Sequence, residues 1–172
     1  SIRSVDITAN GKYIVAASHA DKVYLFDSGS STPLWSYSAT DNVNAVSISE
    51  DGEYLVAGTH EPEVHLFSKG SSTPIWSYTT GNAVESIAIS ADGEYIVAGS
   101  KHGDDKVYVF GKDDSNPLWT YNTGYDINSV AISADGEYIT FGSGNKVYLF
   151  DKDSSTPLWS STLGDGVTTV SI

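Results

Sequence analysis

The sequence predicts an all-β fold. It reads as a β-propeller of four-stranded antiparallel blades, repeating about every 42 residues and forming half of a larger ring. Three observations predict it. The segments NGKYIVAAS (10–18), DGEYLVAGT (51–59), DGEYIVAGS (92–100) and DGEYITFGS (135–143) are copies of one motif. The segments STPLW (31–35), STPIW (72–76), SNPLW (115–119) and STPLW (155–159) are copies of a second. Between them lies a third, KVYLF (22–26), EVHLF (63–67), KVYVF (106–110) and KVYLF (146–150). All four tryptophans and four of the five prolines fall in these registers.

Each unit reads as strands a to d. Strand a is the segment of the VAIS type, such as SIRSVDIT (1–8) in the first unit. The Asp-Gly pair after it closes a tight turn, where glycine tolerates positive φ. Strand b is EYIVAGS, and a short polar loop leads to strand c, KVYLF. A Ser/Pro-rich loop follows. Pro33, Pro74, Pro117 and Pro157 open strand d, where a missing N–H matters least. No stretch carries a helical period. Val23 and Leu25 point one way and Tyr24 and Phe26 the other, so both faces of the blade are apolar. A sheet apolar on both faces must be covered on both, and radial packing of successive blades does this. The predicted blades are 1–38, 39–79, 80–122 and 123–163. Residues 164–172, GDGVTTVSI, read as an extra inner strand that opens a further unit.

Composition narrows the function. With 172 residues, 40% of them apolar, the chain supports one domain with a core. No apolar run reaches the roughly 18 residues of a membrane span. The net charge of -13 argues against nucleic acid and against anionic membranes as partners. Without cysteine there is no disulfide, thiolate nucleophile or Cys-ligated zinc. The abundance of Ser, Thr, Gly and Asp favours an extracellular or cell-surface setting. The chain starts at Ser1 and contains no Met, which points to a mature or trimmed product.

ISADGEYIVAGS followed by KVYLFD resembles a tryptophan-aspartate (WD) repeat, and KVYLFDKDSSTPLW resembles the pyrroloquinoline-quinone-like (PQQ-like) repeat of quinoprotein-type propellers. The resemblance covers essentially the whole chain. It implies that Trp35, Trp76, Trp119 and Trp159 are wedges between neighbouring blades. In the WD pattern an acid follows strand b; here Asp21, Glu63 and Asp105 stand at that place, and Asn145 in the last unit. The name-giving Trp-Asp pair is replaced by Phe26-Asp27, Phe67-Ser68, Phe110-Gly111 and Phe150-Asp151. The quinoprotein pattern implies eight blades, a calcium site and often a vicinal disulfide. Four units and no cysteine depart from it, so no cofactor is expected.

No hydrolase elbow, zinc helix motif or phosphate loop is present. The candidate ligand face is the one shared by the b-to-c and d-to-a loops. It carries His19, His60 and His102, one per unit, and Asp41, Asp126 and Asp165. Asp21, Glu61, Glu63, Asp104 and Asp105 lie nearby, and solvated hairpin tips account for all of them. The opposite face is expected to be strongly negative, with Asp51, Glu53, Asp92, Glu94, Asp135 and Glu137 in the a-to-b turns and Asp27, Asp113, Asp114, Asp151 and Asp153 in the c-to-d loops. The Asp-rich c-to-d loops are turn chemistry, and calcium is not needed for folding.

The expected function is a non-enzymatic scaffold that binds a protein, a glycan or its own copies. An excised or engineered propeller fragment without activity is the alternative, raised by the near-identical units and the unfinished ending. A glycoside hydrolase-like enzyme using Asp41, Asp126 and Asp165 is the second alternative. The expected partner is a second chain completing a ring of about eight blades, or the remainder of a longer propeller.

Overall fold

The computed structural model describes residues 1–172 and contains sixteen strands and no helix. The first sheet is β1 (Ile2–Ile7), β2 (Tyr13–Ser18), β3 (Lys22–Asp27) and β4 (Trp35–Ser38). The second is β5 (Val43–Ile48), β6 (Tyr54–Thr59), β7 (Glu63–Ser68) and β8 (Trp76–Thr79). The third is β9 (Val84–Ile89), β10 (Tyr95–Ser100), β11 (Lys106–Gly111) and β12 (Trp119–Asn122). The fourth is β13 (Ile127–Ile132), β14 (Tyr138–Ser143), β15 (Lys146–Asp151) and β16 (Trp159–Thr162). Each is an antiparallel meander in chain order. Strand d starts at the tryptophan, two residues after each proline, because the proline nitrogen cannot donate to the ladder.

Local chemistry sets the a-to-b turn. Ser90 Oγ donates to Asp92 Oδ1 at 2.6 Å and accepts from Tyr95 N at 3.0 Å, while Glu94 N donates to Asp92 Oδ1 at 3.0 Å. Gly93 completes the turn at φ +74, a conformation that a Cβ penalises. The same net recurs around Asp51 and Asp135, and Thr8 and Asn10 form its counterpart in the first blade.

Three apolar cores lie between successive sheets. Val15, Leu25, Val46, Leu55 and Phe67 belong to the first, Val64, Leu66, Ile87, Ile96 and Phe110 to the second, and Val107, Val109, Val130, Ile139 and Phe150 to the third. Each joins strands b and c of one blade to the inner strand of the next. A Cβ on Gly58 would collide with Val84 and one on Gly99 with Ile127, so glycine at this place in strand b lets the next inner strand approach. No hydrogen bond joins the first sheet to the fourth. The arc is open, and its two end faces expose Ile2, Val5 and Ile7 on one side and Trp159, Leu163 and Ile172 on the other.

Residues 164–172 enter no ladder. They lie where the inner strand of a following blade would sit. Val167 is buried over Gly142, where a Cβ would collide with it, Val167 N donates to Gly144 O at 2.8 Å, and Val170 N donates to Ser129 Oγ at 3.1 Å. The last bond copies Val130 N to Ser86 Oγ (2.9 Å) and Val46 N to Ser4 Oγ (3.3 Å) in the interior of the arc.

Candidate functional site

The face formed by the b-to-c and d-to-a loops places the sequence-derived residues apart. His19, His60 and His102 are exposed, and each is fixed by its backbone. His19 N donates to Ser1 O at 2.8 Å, and His60 N donates to Asn42 O at 2.9 Å. His102 N donates to Asp126 Oδ1 at 2.8 Å, so this pair is brought together across two blades through an amide rather than an imidazole. Asp41 Oδ1 accepts from Asn42 N at 2.6 Å, and Asp165 Oδ1 accepts from Gly166 N at 2.7 Å. Each carboxylate is thus the acceptor of a local turn. No group of three or more His, Asp or Glu side chains is positioned to hold a metal ion.

Between the third and fourth blades this face opens into a shallow depression of about 440 Å³, lined by Gly103, Asp105, Gly124, Tyr125, Asp126, Asn128 and Gly144. Tyr125 is 68% exposed, more than any other large hydrophobic side chain of the molecule. Its carbonyl accepts from Thr123 Oγ1 at 2.7 Å and from Ser143 Oγ at 2.9 Å, which pins the loop that carries the ring. Sequence reasoning missed Tyr125. The signal was available, because the other d-to-a loops (41–43, 81–83 and 164–166) contain no aromatic residue.

Asp104 corrects one expectation. It is not a solvated hairpin tip but is buried, 8% exposed. Its Oδ2 accepts from Ser100 Oγ at 2.6 Å and from Tyr108 Oη at 2.7 Å, and Lys106 Nζ lies 3.0 Å from Oδ1. Burial pushes its carboxyl up, but the donations from Ser100, Tyr108 and Lys106 together outweigh burial and hold it below the usual aspartate range. Burial, and then the bond to Asp104, push the Tyr108 hydroxyl well above its ordinary range. Tyr108 Oη also accepts from Gly81 N at 3.1 Å, which ties the second-to-third blade crossing to the network. This is a structural lock beneath the face.

His65 stands where Tyr24, Tyr108 and Tyr148 stand in the other blades. It is 2% exposed; its Nδ1 lies 2.7 Å from Ser77 Oγ, and its Nε2 has no hydrogen-bond partner. Glu63 Oε2 lies 3.5 Å from Nε2, but burial lowers the imidazole to about 4, so it is neutral near pH 7 and forms no ion pair there.

The opposite face is less one-sided than its acids alone suggest. Lys69 pairs with Glu53 and Lys112 with Glu94, and Lys152 lies 3.6 Å from Glu137. The three ammonium groups also lie over the rings of Tyr13, Tyr54 and Tyr95 of the preceding blade, 5.2, 5.6 and 5.6 Å from the centroids. Asp113, Asp114 and Asp153 remain around a second depression of about 360 Å³.

No curated protein sequence matches the chain. A chain in the crystal structure of the mitotic checkpoint complex is similar in fold, with a TM-score of 0.84 at 15% identity. The similarity covers 98% of this chain and 56% of that one, so the present chain spans little more than half of that relative's length. Residues 19–172 match the family model described as outer membrane protein assembly factor BamB. With four antiparallel four-stranded sheets in succession and a family match over most of its length, the chain belongs to this PQQ-like β-propeller repeat family.

Proposed function

We propose that the chain is a non-enzymatic interaction platform whose b-to-c and d-to-a loop face takes a protein partner. The observation that carries this reading is the pinned, outward-facing Tyr125 beside Asp126 and Asp105 at the edge of an open depression. An exposed aromatic ring on a rigid loop is a low-entropy anchor for a partner. The adjacent carboxylates and the net charge of -13 favour a cationic segment. Asp41 and Asp165 each accept a backbone N–H within their own turn, and Asp126 accepts that of His102 from the preceding blade, which suits a structural role better than the paired acid and base of a glycoside hydrolase. The relatives support the reading: an outer membrane assembly factor and a component of a checkpoint complex are both named for assemblies.

Titration of the isotope-labelled chain with an oligolysine peptide, followed by amide shifts, tests it. Saturable shifts centred on Tyr125, Asp126, Gly103 and Gly144, lost in Tyr125→Ala with an unchanged melting temperature, are expected. Small non-saturating shifts spread over the whole acidic surface would overturn the reading.

A further inference from the structure

We infer that the depression between the third and fourth blades reads arginine: it seats a guanidinium of the partner on the Tyr125 ring, with Asp105, Asp126 and Asn128 as its acceptors. The inference deepens the platform reading by naming the side chain that is recognised, and it rests on that reading.

The depression is where the repeat departs from itself. The b-to-c loops of the first, second and fourth blades have three, three and two residues (19–21, 60–62 and 144–145), whereas that of the third has five (101–105). The d-to-a loops between the four blades all have four residues (39–42, 80–83 and 123–126). Yet Tyr125 and Asp126 stand where Asp41 and Asn42 stand in the first of them, and Asn82 and Ala83 in the second. The longest b-to-c loop and the one aromatic d-to-a loop thus meet at a single junction. In a chain of near-copies, two departures that converge on one concavity mark a local task, because the fold is built without them at the other junctions.

The walls are held in place. Asn122 Nδ2 donates to Asp104 O at 3.0 Å, and Thr123 N donates to Asp105 O at 3.0 Å. Thr123 Oγ1 and Ser143 Oγ lie 2.7 Å apart. A ligand therefore meets a site already formed, and little ordering is lost on binding.

The polar atoms left over are acceptors. Asp126 Oδ1 is taken by His102 N, and Asp105 Oδ1 by Gly103 N at 3.3 Å, but Oδ2 of each accepts from nothing. No cation of the chain pairs with either carboxylate, in contrast to Glu53, Glu94, Asp104 and Glu137. Asn128 Nδ2 donates to Val167 O at 2.8 Å, and its Oδ1 has no donor.

The molecule itself shows what such an oxygen takes. Asn44 is the counterpart of Asn128 in the second blade, and its Nδ2 likewise donates to a backbone carbonyl, Val84 O, at 3.2 Å. Its Oδ1 accepts from the guanidinium of Arg3, the one arginine of the chain, at 3.4 Å. In the third blade the register of Arg3 is held by Glu85, a carboxylate with no hydrogen to donate. The same acceptor is therefore left open at the third-to-fourth junction.

The ring sets the preference among cations. Tyr125 rests on Gly144, where a Cβ would come within 3.3 Å of the ring Cγ, and its exposure leaves the other face free. A guanidinium is planar and weakly hydrated and carries five donors, so it can lie on an aromatic face while its edge reaches the carboxylates. An ammonium is a compact, strongly hydrated point charge and gains less from an open, shallow site.

Amide-shift titrations of the isotope-labelled chain with oligoarginine and oligolysine peptides of equal length test this. Oligoarginine is expected to bind at least about fivefold more tightly, with shifts that include the Asn128 side-chain amide. Tyr125→Leu, at an exposed position, should keep the melting temperature and bring oligoarginine down to no better than oligolysine, whereas Tyr125→Phe should keep the advantage. Asp105→Asn, which tolerates the positive φ of that position, should weaken oligoarginine. Equal affinity of the wild type for the two peptides, or an arginine advantage that survives in Tyr125→Leu, would overturn the inference. With saturable shifts still centred on Tyr125, the platform reading would stand in that case. If neither peptide gives saturable shifts there, the platform reading falls, and this inference with it.

Discussion

Trp76 Nε1 donates to Lys112 O at 2.8 Å, so an indole on the outer strand of one blade is bound by a loop of the next. The same residue packs its ring on Phe110, and the two contacts together fix the angle between the second and third blades. Trp76→Ala is expected to destabilise the fold by about 3–5 kcal/mol, the usual range for a large aromatic removed from a core. Trp159→Ala removes a ring that is 49% exposed and should cost well under that. Urea denaturation of the two variants at low concentration checks the contrast. Equal losses would mean that the wedge contact contributes nothing.

Gly93 joins a positive φ to a close approach, since a Cβ there would lie 2.6 Å from the Tyr54 ring of the preceding blade. Gly93→Ala should therefore lower stability by about 1–3 kcal/mol, through strain and displacement of the ring. Gly70→Ala, where a Cβ would meet nothing and φ is not positive, should be near neutral. Melting curves of the pair measure the difference.

His65 makes stability depend on pH. Its folded value of about 4 lies below its ordinary 6.5, so between these values the unfolded chain takes up a proton that the folded chain refuses. Stability is full above pH 6.5 and falls as the pH drops toward 4, by up to about 3 kcal/mol at 1.36 kcal/mol per unit. Asp104, held below its ordinary 3.8, adds a further loss only as the pH falls below that value. His65→Tyr, which restores the residue of the other blades, should flatten the upper window and leave the lower one. Urea midpoints from pH 7 to pH 3 would show a flat profile for the wild type if the imidazole were freely protonated in the fold.

The c-to-d aspartates cap their own loops. Asp114 Oδ1 accepts from Asn116 N at 2.9 Å, and Asp151 Oδ1 accepts from Asp153 N at 2.9 Å. Turns satisfied in this way need no cation to fold. Addition of EDTA should shift the melting temperature by no more than the noise of the scan, and a drop of several degrees would reveal a structural calcium site.

The blades were legible because their signals are local and repeat. Strand period, turn chemistry and tryptophan register recur four times, and each recurrence removes alternatives. The lock at Asp104 was not legible. The loop KHGDDK (101–106) contains two adjacent aspartates, and the positive φ values at His102, Gly103 and Asp105 decide which one turns inward. The lysines that pair with glutamates of the opposite face were readable, since Lys69, Lys112 and Lys152 occupy one register, but their partners Glu53, Glu94 and Glu137 lie in the a-to-b turns, two strands away in sequence. The docking of residues 164–172 without a ladder follows from tertiary contact with Gly142 and Ser129 and has no local signature.

Hydrogen exchange of the four indole N–H groups tests the account at its centre, the matching of a strand d tryptophan to the blade that follows it. Trp35, Trp76 and Trp119 are bonded to carbonyls, whereas the half-exposed Trp159 has no such bond. The account predicts slow exchange at those three under all conditions. At Trp159, which has no carbonyl partner, it predicts fast exchange. Exchange at Trp35, Trp76 or Trp119 as fast as at Trp159 would contradict it.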